Sequence, residues 1–159
     1  MSRQLRQEDW RLLREVRLRA LASDPSAFIE THAEASASPE ELWQERATPA
    51  EDRVSFGFEK DGRLHALVAA FAGDDPKTVF LVGMWVAPDL RGTGAARDLV
   101  ENVVAWARQQ GFDRVCLSVE PTNERAARLY ARCGFIETSD PPPFPYRPNE
   151  DNRYFVYEL

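Results

Sequence analysis

The sequence predicts an α/β protein with a mixed β-sheet and helices on both faces. Three observations support this class. Segments with strand patterning alternate with segments of helical periodicity. An antiparallel hairpin precedes strand–helix–strand crossovers, and an apolar strand runs through a glycine-containing loop into a long helix. The 159 residues match the usual length of one domain, so we expect residues 1–159 to form a single domain.

The first third of the chain is predicted to contain a short strand, over residues 2–5, and two helices. Residues 22–37 have the composition of an irregular connector. The second helix is predicted to begin at Ser38-Pro39-Glu40-Glu41, where Ser38 caps the helix and Glu41 completes a capping box. The first helix is indicated by apolar residues at three- and four-residue steps: Trp10, Leu13, Val16, Ala20 and Leu21.

The middle of the chain is predicted to contain three strands and a long helix. Residues 54–60 and 63–71 flank Asp61-Gly62, a dipeptide that favours a tight hairpin turn. Residues 78–86 are apolar almost throughout, which is typical of a strand covered on both faces. The helix covers about residues 93–110, and its buried stripe is predicted to be Ala95, Leu99, Val103 and Ala107.

The last third is predicted to supply the remaining strands. Residues 114–120 alternate as a strand, residues 123–132 form a short helix, and another strand starts at Phe135. Residues 140–148 form a loop with three consecutive prolines, which favour an extended backbone over a helix. The chain then ends in a strand over residues 153–159.

Composition argues against several classes of function. A net charge of −6 is unlike the basic face of a nucleic-acid-binding protein. The two cysteines lie 17 positions apart and the chain has only two histidines, so we expect neither a disulfide framework nor a metal site. No apolar run approaches the ~20 residues of a membrane helix, and the N-terminus lacks the apolar core of a signal peptide. We therefore expect a cytoplasmic protein without a membrane partner.

The loop between the apolar strand and the long helix predicts an anion site. The first N–H groups of a helix lack partners and the helix dipole adds positive charge there, so phosphates bind at this position. Gly92 and Gly94 permit close approach of the backbone, and Arg91 adds a positive charge. Alternatively, these glycines serve only a tight turn into the helix. Neither a Walker loop nor a complete dinucleotide fingerprint is present, since no GK[ST] follows and the third glycine is missing.

Two motifs resemble those of the GNAT family, the Gcn5-related N-acetyltransferases. Arg91-Gly92-Thr93-Gly94-Ala95-Ala96 resembles the family's acetyl-CoA signature, (Gln/Arg)-x-x-Gly-x-(Gly/Ala). Residues 123–135, NERAARLYARCGF, resemble the later family pattern Asn-x-x-Ala-x-x-Leu-Tyr-x-x-x-Gly-Phe. The match is sharpest over residues 78–136. The resemblance implies a GNAT-type acyl-CoA N-acyltransferase fold with a mostly antiparallel, twisted sheet, acetyl-CoA as the acyl donor and an amine as the acceptor.

The resemblance also implies how acetyl-CoA is bound. Asn123 is expected to cap its helix and to contact the cofactor arm, and Tyr130 is expected to protonate the departing thiolate. One backbone N–H of the strand is expected to polarise the thioester carbonyl, while the Trp85 side chain is expected to pack in the core. The pyrophosphate is expected on the backbone of Arg91, Gly92, Thr93, Gly94, Ala95 and Ala96, and the pantetheine arm on that of Met84, Trp85 and Val86.

The general base is a separate question, because the acceptor amine must lose a proton. Some family members carry a glutamate five positions before the motif asparagine, and this position is Ser118 here. Glu120 lies two positions further along the same face of the strand, roughly 6–7 Å away. We predict Glu120 as the base, directly or through water, with Glu30 as a weaker candidate. Cys133 is a further, disfavoured candidate for an acyl-accepting nucleophile.

The acceptor is the least determined part of the prediction. Phe28 and Trp43 lie where the family shapes acceptor specificity, although ordinary packing also explains both. Phe144 and Tyr146 of the proline-rich loop are candidates for a wall of the acceptor site or a homodimer contact. The negative net charge favours a cationic acceptor. A non-catalytic acyl-CoA-binding module on the same fold is the alternative function, because Ser118 replaces the glutamate.

Overall fold

A computed structural model describes residues 2–159 of the protein. The helices are α1 (Trp10–Ser23), α2 (His32–Ala37), α3 (Glu40–Ala47), α4 (Ala95–Gln109) and α5 (Glu124–Arg132). The strands are β1 (Ser2–Gln4), β2 (Arg53–Lys60), β3 (Arg63–Ala72), β4 (Thr78–Val86), β5 (Arg114–Val119), β6 (Ile136–Thr138) and β7 (Arg153–Glu158).

All seven strands belong to one sheet, with the order β1-β2-β3-β4-β5-β7-β6. β4 and β5 are parallel, and the remaining neighbours are antiparallel. The predicted mixed sheet is therefore confirmed. So is the β2–β3 hairpin, in which Asp61 and Gly62 have φ angles of 54° and 74°, the left-handed conformation that a tight hairpin turn requires.

Helices cover both faces of this sheet, as the sequence predicts. α4 and α5 pack into one hydrophobic core, and α1, α2 and α3 pack into a second core. The neighbouring residues Leu67 and Val68 of β3 belong to different cores, because successive side chains of a strand point to opposite faces. The predicted stripe of α4 is buried at all four positions: Ala95, Leu99, Val103 and Ala107.

The prediction for residues 22–37 was wrong, because α2 forms within the supposed irregular connector. The Thr31 hydroxyl caps α2 by accepting from the Glu34 N–H at 3.1 Å. The expected cap at Ser38 does not form, and its hydroxyl instead donates to the Glu34 carbonyl at 3.1 Å. Thr31 and Ser38 are each followed three residues later by a glutamate, which is the capping-box pattern, but only Thr31 makes the cap.

The prediction that β4 is covered on both faces holds only for its first half. Residues 78–81 are buried, whereas Gly83 and Met84 are half-exposed. β5 pairs with β4 only from Thr78 to Phe80, so the second half of β4 lacks a neighbour on that side. This separation creates the main cleft of the molecule.

Within residues 2–159, no helix combines the length and the apolar character needed to cross a bilayer. Over the same residues, no group of three or more histidine, cysteine or acidic side chains is arranged to hold a metal ion.

Candidate active site

The cleft lies where β4 and β5 separate. β5 continues to pair with β7 up to Val119, so it is β4 that loses its partner after Phe80. The cleft that includes this gap measures about 1880 Å³ and is lined by residues of both strands and of the surrounding helices and loops. A strand edge with unpaired backbone groups therefore lines the cleft, and it can accept an extended ligand as an added strand.

A β-bulge interrupts β4 within this unpaired edge. Ala69 pairs with Val82 and Leu67 pairs with Trp85, so β4 contains one extra residue between these pairs. Gly83 has a φ angle of 66°, which a residue with a side chain rarely adopts. A bulge redirects backbone groups away from the ladder. The N–H groups at residues 83–85 are thus the candidates for contact with a carbonyl oxygen in the cleft.

The glycine-containing loop follows β4 and leads into α4 at the same edge. Gly92 and Gly94 have φ angles of 80° and 91°, and α4 begins two residues later than predicted, at Ala95. The Arg91 and Thr93 N–H groups donate to the carbonyls of Pro88 and Leu90. Within residues 2–159, no backbone carbonyl accepts from the N–H groups of Gly92, Gly94, Ala95 and Ala96.

The loop offers fewer free backbone donors than the six residues predicted to bind the pyrophosphate. Four of its six predicted residues offer backbone donors, whereas the N–H groups of Arg91 and Thr93 serve the turn itself. The start of α4 adds the positive end of a 15-residue helix. Free N–H groups at a helix N-terminus favour an anionic ligand such as a phosphate at this position.

Asp24 makes hydrogen bonds both to β4 and to the glycine-containing loop. Its carboxylate accepts from the Trp85 indole N–H at 2.8 Å and from Arg91 at 3.5 Å. The hydrogen bond from Trp85 is the main reason why the pKa of Asp24 is lowered, and Arg91 adds to it. Arg91 also donates to the Val86 carbonyl at 3.0 Å. The Trp85 side chain is buried in the second core, as expected.

α5 brings Asn123 and Tyr130 to the cleft. The Asn123 side chain accepts from the Ala126 N–H at 3.1 Å, which confirms the predicted cap. Tyr130 is 5% exposed, lines the cleft and packs edge-on against Phe135. Burial raises the pKa of the Tyr130 phenol, so the hydroxyl stays protonated and can act as a proton donor.

Sequence reasoning missed a group of arginines around the glycine loop. They lie on the first turn of α4 and along α5, line the cleft and carry positive charge beside the anion site. The helical spacing of the α5 members was a usable signal, because positions three and four apart share a face. The residues are Arg97, Arg125, Arg128 and Arg132.

The end of β5 carries Ser118, which replaces the family's glutamate, and the predicted base Glu120 follows directly after this strand. Ser118 and Glu120 both line the cleft, so the structure brings Glu120 to the same space as Tyr130. Asn152, which the sequence did not single out, donates to the Ser118 hydroxyl at 3.5 Å. Its Oδ1 atom is buried and has no hydrogen-bond partner within residues 2–159.

Glu30, the weaker base candidate, already accepts hydrogen bonds from two arginines. One carboxylate oxygen accepts from Arg17 at 3.2 Å and the other from Arg46 at 3.0 Å. Two guanidinium groups hold the negative charge in place, so Glu30 is poorly suited to take a proton from an amine. For Cys133, burial raises the pKa of the thiol, which disfavours the thiolate that a nucleophile needs.

The proline-rich loop packs on β3 and β4 through its aromatic residues. Phe144 packs on Phe80 with a centroid separation of 4.7 Å, and Tyr146 lies 6.4 Å from Phe71. Tyr146, Arg147 and neighbouring residues line the cleft. Phe28 and Trp43 line it from the opposite wall. Tyr146 thus forms part of a wall of the cleft, whereas Phe144 packs on Phe80 and is not one of the lining residues. Their role at an acceptor site stays a prediction.

The cleft therefore has two ends, joined at the β4 bulge. The glycine-loop end consists of residues 84–97 and α5. The connector end consists of residues 24–34, Arg17 of α1, α3 and residues 146–152. Nine arginines and five acidic residues line the whole cleft, so the net charge of −6 for the chain does not describe it.

Comparison with known proteins agrees with this architecture. A sequence model of the acetyltransferase (GNAT) family matches residues 13–135, so the chain belongs to this family. An uncharacterised N-acetyltransferase of Mycobacterium tuberculosis is 41% identical over 75 residues, which are 47% of each chain. The chain spans about half the length of the curated relatives it matches.

Solved structures show the same fold at low sequence identity. The GNAT domain of S. lividans PAT matches with a TM-score of 0.79 and 16% identity, over 99% of this chain and 89% of that domain. The PaiA N-acetyltransferase of Thermoplasma acidophilum, solved with coenzyme A, matches with a TM-score of 0.75 and 14% identity, over 100% and 98% of the two chains. The chain therefore has the GNAT acyl-CoA N-acyltransferase fold.

Proposed function

We propose that this protein is an acetyl-CoA-dependent N-acetyltransferase that acetylates a primary amine by direct attack in a ternary complex. The observation that carries the proposal is the unpaired edge of β4, which runs from its bulge directly into the glycine loop and the start of α4. One cofactor molecule can use this whole edge, because pantetheine is an extended amide chain and pyrophosphate is an anion.

Binding of acetyl-CoA uses the glycine-loop end. The pyrophosphate lies on the free N–H groups at the start of α4, and the pantetheine arm pairs with the backbone of Met84, Trp85 and Val86. The neighbouring arginines of α4 and α5 supply positive charge for the phosphates. Family membership and the coenzyme A complex of the Thermoplasma relative support acetyl-CoA as the donor.

The reaction begins when the neutral amine attacks the thioester carbonyl carbon and forms a C–N bond. The carbonyl oxygen becomes an oxyanion, which a backbone N–H at the β4 bulge stabilises. Glu120 takes the proton that the amine loses, directly or through a water. When the C–S bond breaks, Tyr130 donates its phenolic proton to the CoA thiolate. Its raised pKa keeps that proton available.

Release of CoA from acetyl-CoA, measured against a panel of amines, tests this proposal. The panel contains amino acids, amino-acid amides, simple alkylamines, polyamines, aminoglycosides and short peptides with free N-termini, beside a blank without amine. We expect turnover well above the blank for at least one class. Tight acetyl-CoA binding without turnover on any amine would contradict the proposal and favour the non-catalytic binding module.

A further inference from the structure

A cluster of arginines at the connector end of the cleft has more positive than negative charge. Arg17 of α1 and Arg46 of α3 share a single carboxylate, that of Glu30, at 3.2 and 3.0 Å. The side chains of Arg17 and Glu30 are 19% and 17% exposed, and Arg46 is 36% exposed. The three groups together retain one positive charge in a partly desolvated position.

Aromatic rings hold both arginines in place. Arg17 lies over the Phe28 ring at 4.5 Å, and Arg46 lies over the Trp43 ring at 4.8 Å. At these distances each guanidinium group makes a cation–π interaction, and the N–H donors that Glu30 does not use can bind other groups. All four residues, together with Glu30, line the cleft.

Trp43 adds a second, independent observation. The residue is 1% exposed, and its indole N–H has no hydrogen-bond partner within residues 2–159. A buried donor without a partner destabilises the folded protein, and an acceptor group of a ligand would satisfy it. Each carboxylate oxygen of Glu30 already accepts a hydrogen bond from one arginine. The groups of the cluster that remain to bind a ligand are therefore N–H donors.

The cluster lies next to the proposed reaction centre. A Cβ atom built on Gly83 of the β4 bulge would lie 3.4 Å from the Arg17 Nη1 atom. Burial lowers the pKa of Arg17, and the nearby charge of Arg46 acts in the same direction. An added negative charge would offset both effects. Any anionic group bound here would lie close to the amine that attacks at the bulge.

We propose that the acceptor is a small amine that carries a carboxylate, and that Arg17, Arg46 and the Trp43 indole N–H bind this carboxylate. This inference rests on the proposed acetyltransferase function and specifies its substrate class. One excess positive charge matches one carboxylate, and planar guanidinium groups match its geometry. Glu34, Asp52 and Glu120 also line the cleft, and these three carboxylates, which accept from no arginine within residues 2–159, are the acidic groups available to the amino end.

Matched acceptors test the proposal on the wild-type protein. L-phenylalanine is compared with L-phenylalaninamide and phenethylamine, and L-leucine with L-leucinamide and isopentylamine. We expect kcat/KM to be at least ~10-fold higher for the amino acids, since the amides and simple amines lack the charged hydrogen-bond acceptor that the guanidinium groups would bind. Equal values, or a preference for the amides or simple amines, would overturn the carboxylate site and leave the acetyltransferase proposal standing. No turnover with any amine would overturn both.

Arg46→Gln then tests the assignment to these residues. The variant should lose ~10-fold in kcat/KM for the amino acids, with an unchanged acetyl-CoA Kd and unchanged turnover of the amines without a carboxylate. Arg11→Gln is the matched control, because Arg11 lies over the Trp10 ring at 4.4 Å outside the cleft. Equal losses for all acceptors would contradict the assignment. If Arg46→Gln fails to fold, Arg46→Lys gives the same comparison, because it keeps the charge and loses the planar fork.

Discussion

The glycine-loop end of the cleft consists mainly of backbone, whereas the connector end consists of side chains from segments distant in sequence. At the first end, a bulge, two positive-φ glycines and a helix start form the surface within residues 83–96. At the second end, Arg17, Glu30 and Arg46 come together from two helices and a connector. A backbone site leaves a compact motif in the sequence. A site made by distant side chains leaves none.

The largest effect is expected at the backbone site, from Gly94→Asp. Gly94 has a φ angle of 91°, and a carboxylate there would repel the pyrophosphate. We expect the acetyl-CoA Kd to rise by at least ~100-fold, or about 2.7 kcal/mol. Isothermal titration calorimetry of the folded variant measures this. An unchanged Kd would mean that the pyrophosphate binds elsewhere.

Gly111→Asp is the matched control for that variant. Gly111 lies after the other end of α4, has a φ angle of 85° and, like Gly94, has no heavy atom within 4 Å of its added Cβ. The backbone strain is therefore comparable, while the helix end is the opposite one. We expect its acetyl-CoA Kd to stay within ~2-fold of the wild-type value, because a helix dipole acts only near its own terminus.

The same contrast explains what the sequence predicts well. Residues 78–136 combine an apolar strand, glycines and an N-cap, and the structure confirms the helix stripe and the Asn123 cap there. The separation of β4 from β5 could not be predicted from the strand itself, since the apolar pattern of β4 favours full burial. The Arg17–Glu30–Arg46 cluster was missed because its members are 13 and 16 positions apart. α2 was missed because the capping patterns that start at Thr31 and Ser38 lie within eleven residues. The sequence pattern alone does not show which of the two starts a helix.

The next effect concerns chemistry rather than binding and is expected from Tyr130→Phe. Loss of the proton donor should lower kcat by about 100-fold, while the acetyl-CoA Kd stays near the wild-type value. Steady-state kinetics and calorimetry separate the two quantities. Tyr157→Phe is the control, since Tyr157 packs on Phe135 from another strand and does not line the cleft. Equal turnover in Tyr130→Phe would remove this hydroxyl from the reaction.

A smaller effect is expected from Glu120→Gln, and it should depend on pH. Near neutral pH the variant should lose about 10-fold in kcat/KM, below the usual range for a general base because water can substitute in part. The loss should narrow as pH rises, because hydroxide ion can then take the proton from the attacking nitrogen in place of Glu120. Glu158→Gln, which alters an exposed carboxylate at the end of β7, is the control. A loss that stays constant across the pH profile would argue that Glu120 positions the acceptor instead.

The smallest effect is expected from Asp24→Asn, which alters the one carboxylate that contacts both Trp85 of β4 and Arg91 of the loop. The free energy of unfolding should fall by only about 0.5 kcal/mol, because the Asp24 side chain is 38% exposed and solvent screens its charge. The acetyl-CoA Kd should rise ~2–5-fold, since Arg91 loses part of its anchor.

The pH dependence of stability sharpens this last test. The folded-state pKa of Asp24 is lowered, so its contribution is fully present above the unfolded pKa of about 4 and is lost as pH falls through the folded value. Chemical denaturation of both proteins between pH 7 and pH 2.5 should therefore show a difference that disappears at the acidic end. A difference that persists there would assign the effect to packing rather than to charge. Asp24 would then connect the two ends of the cleft through packing alone. Arg91 would keep its position without an ionised partner.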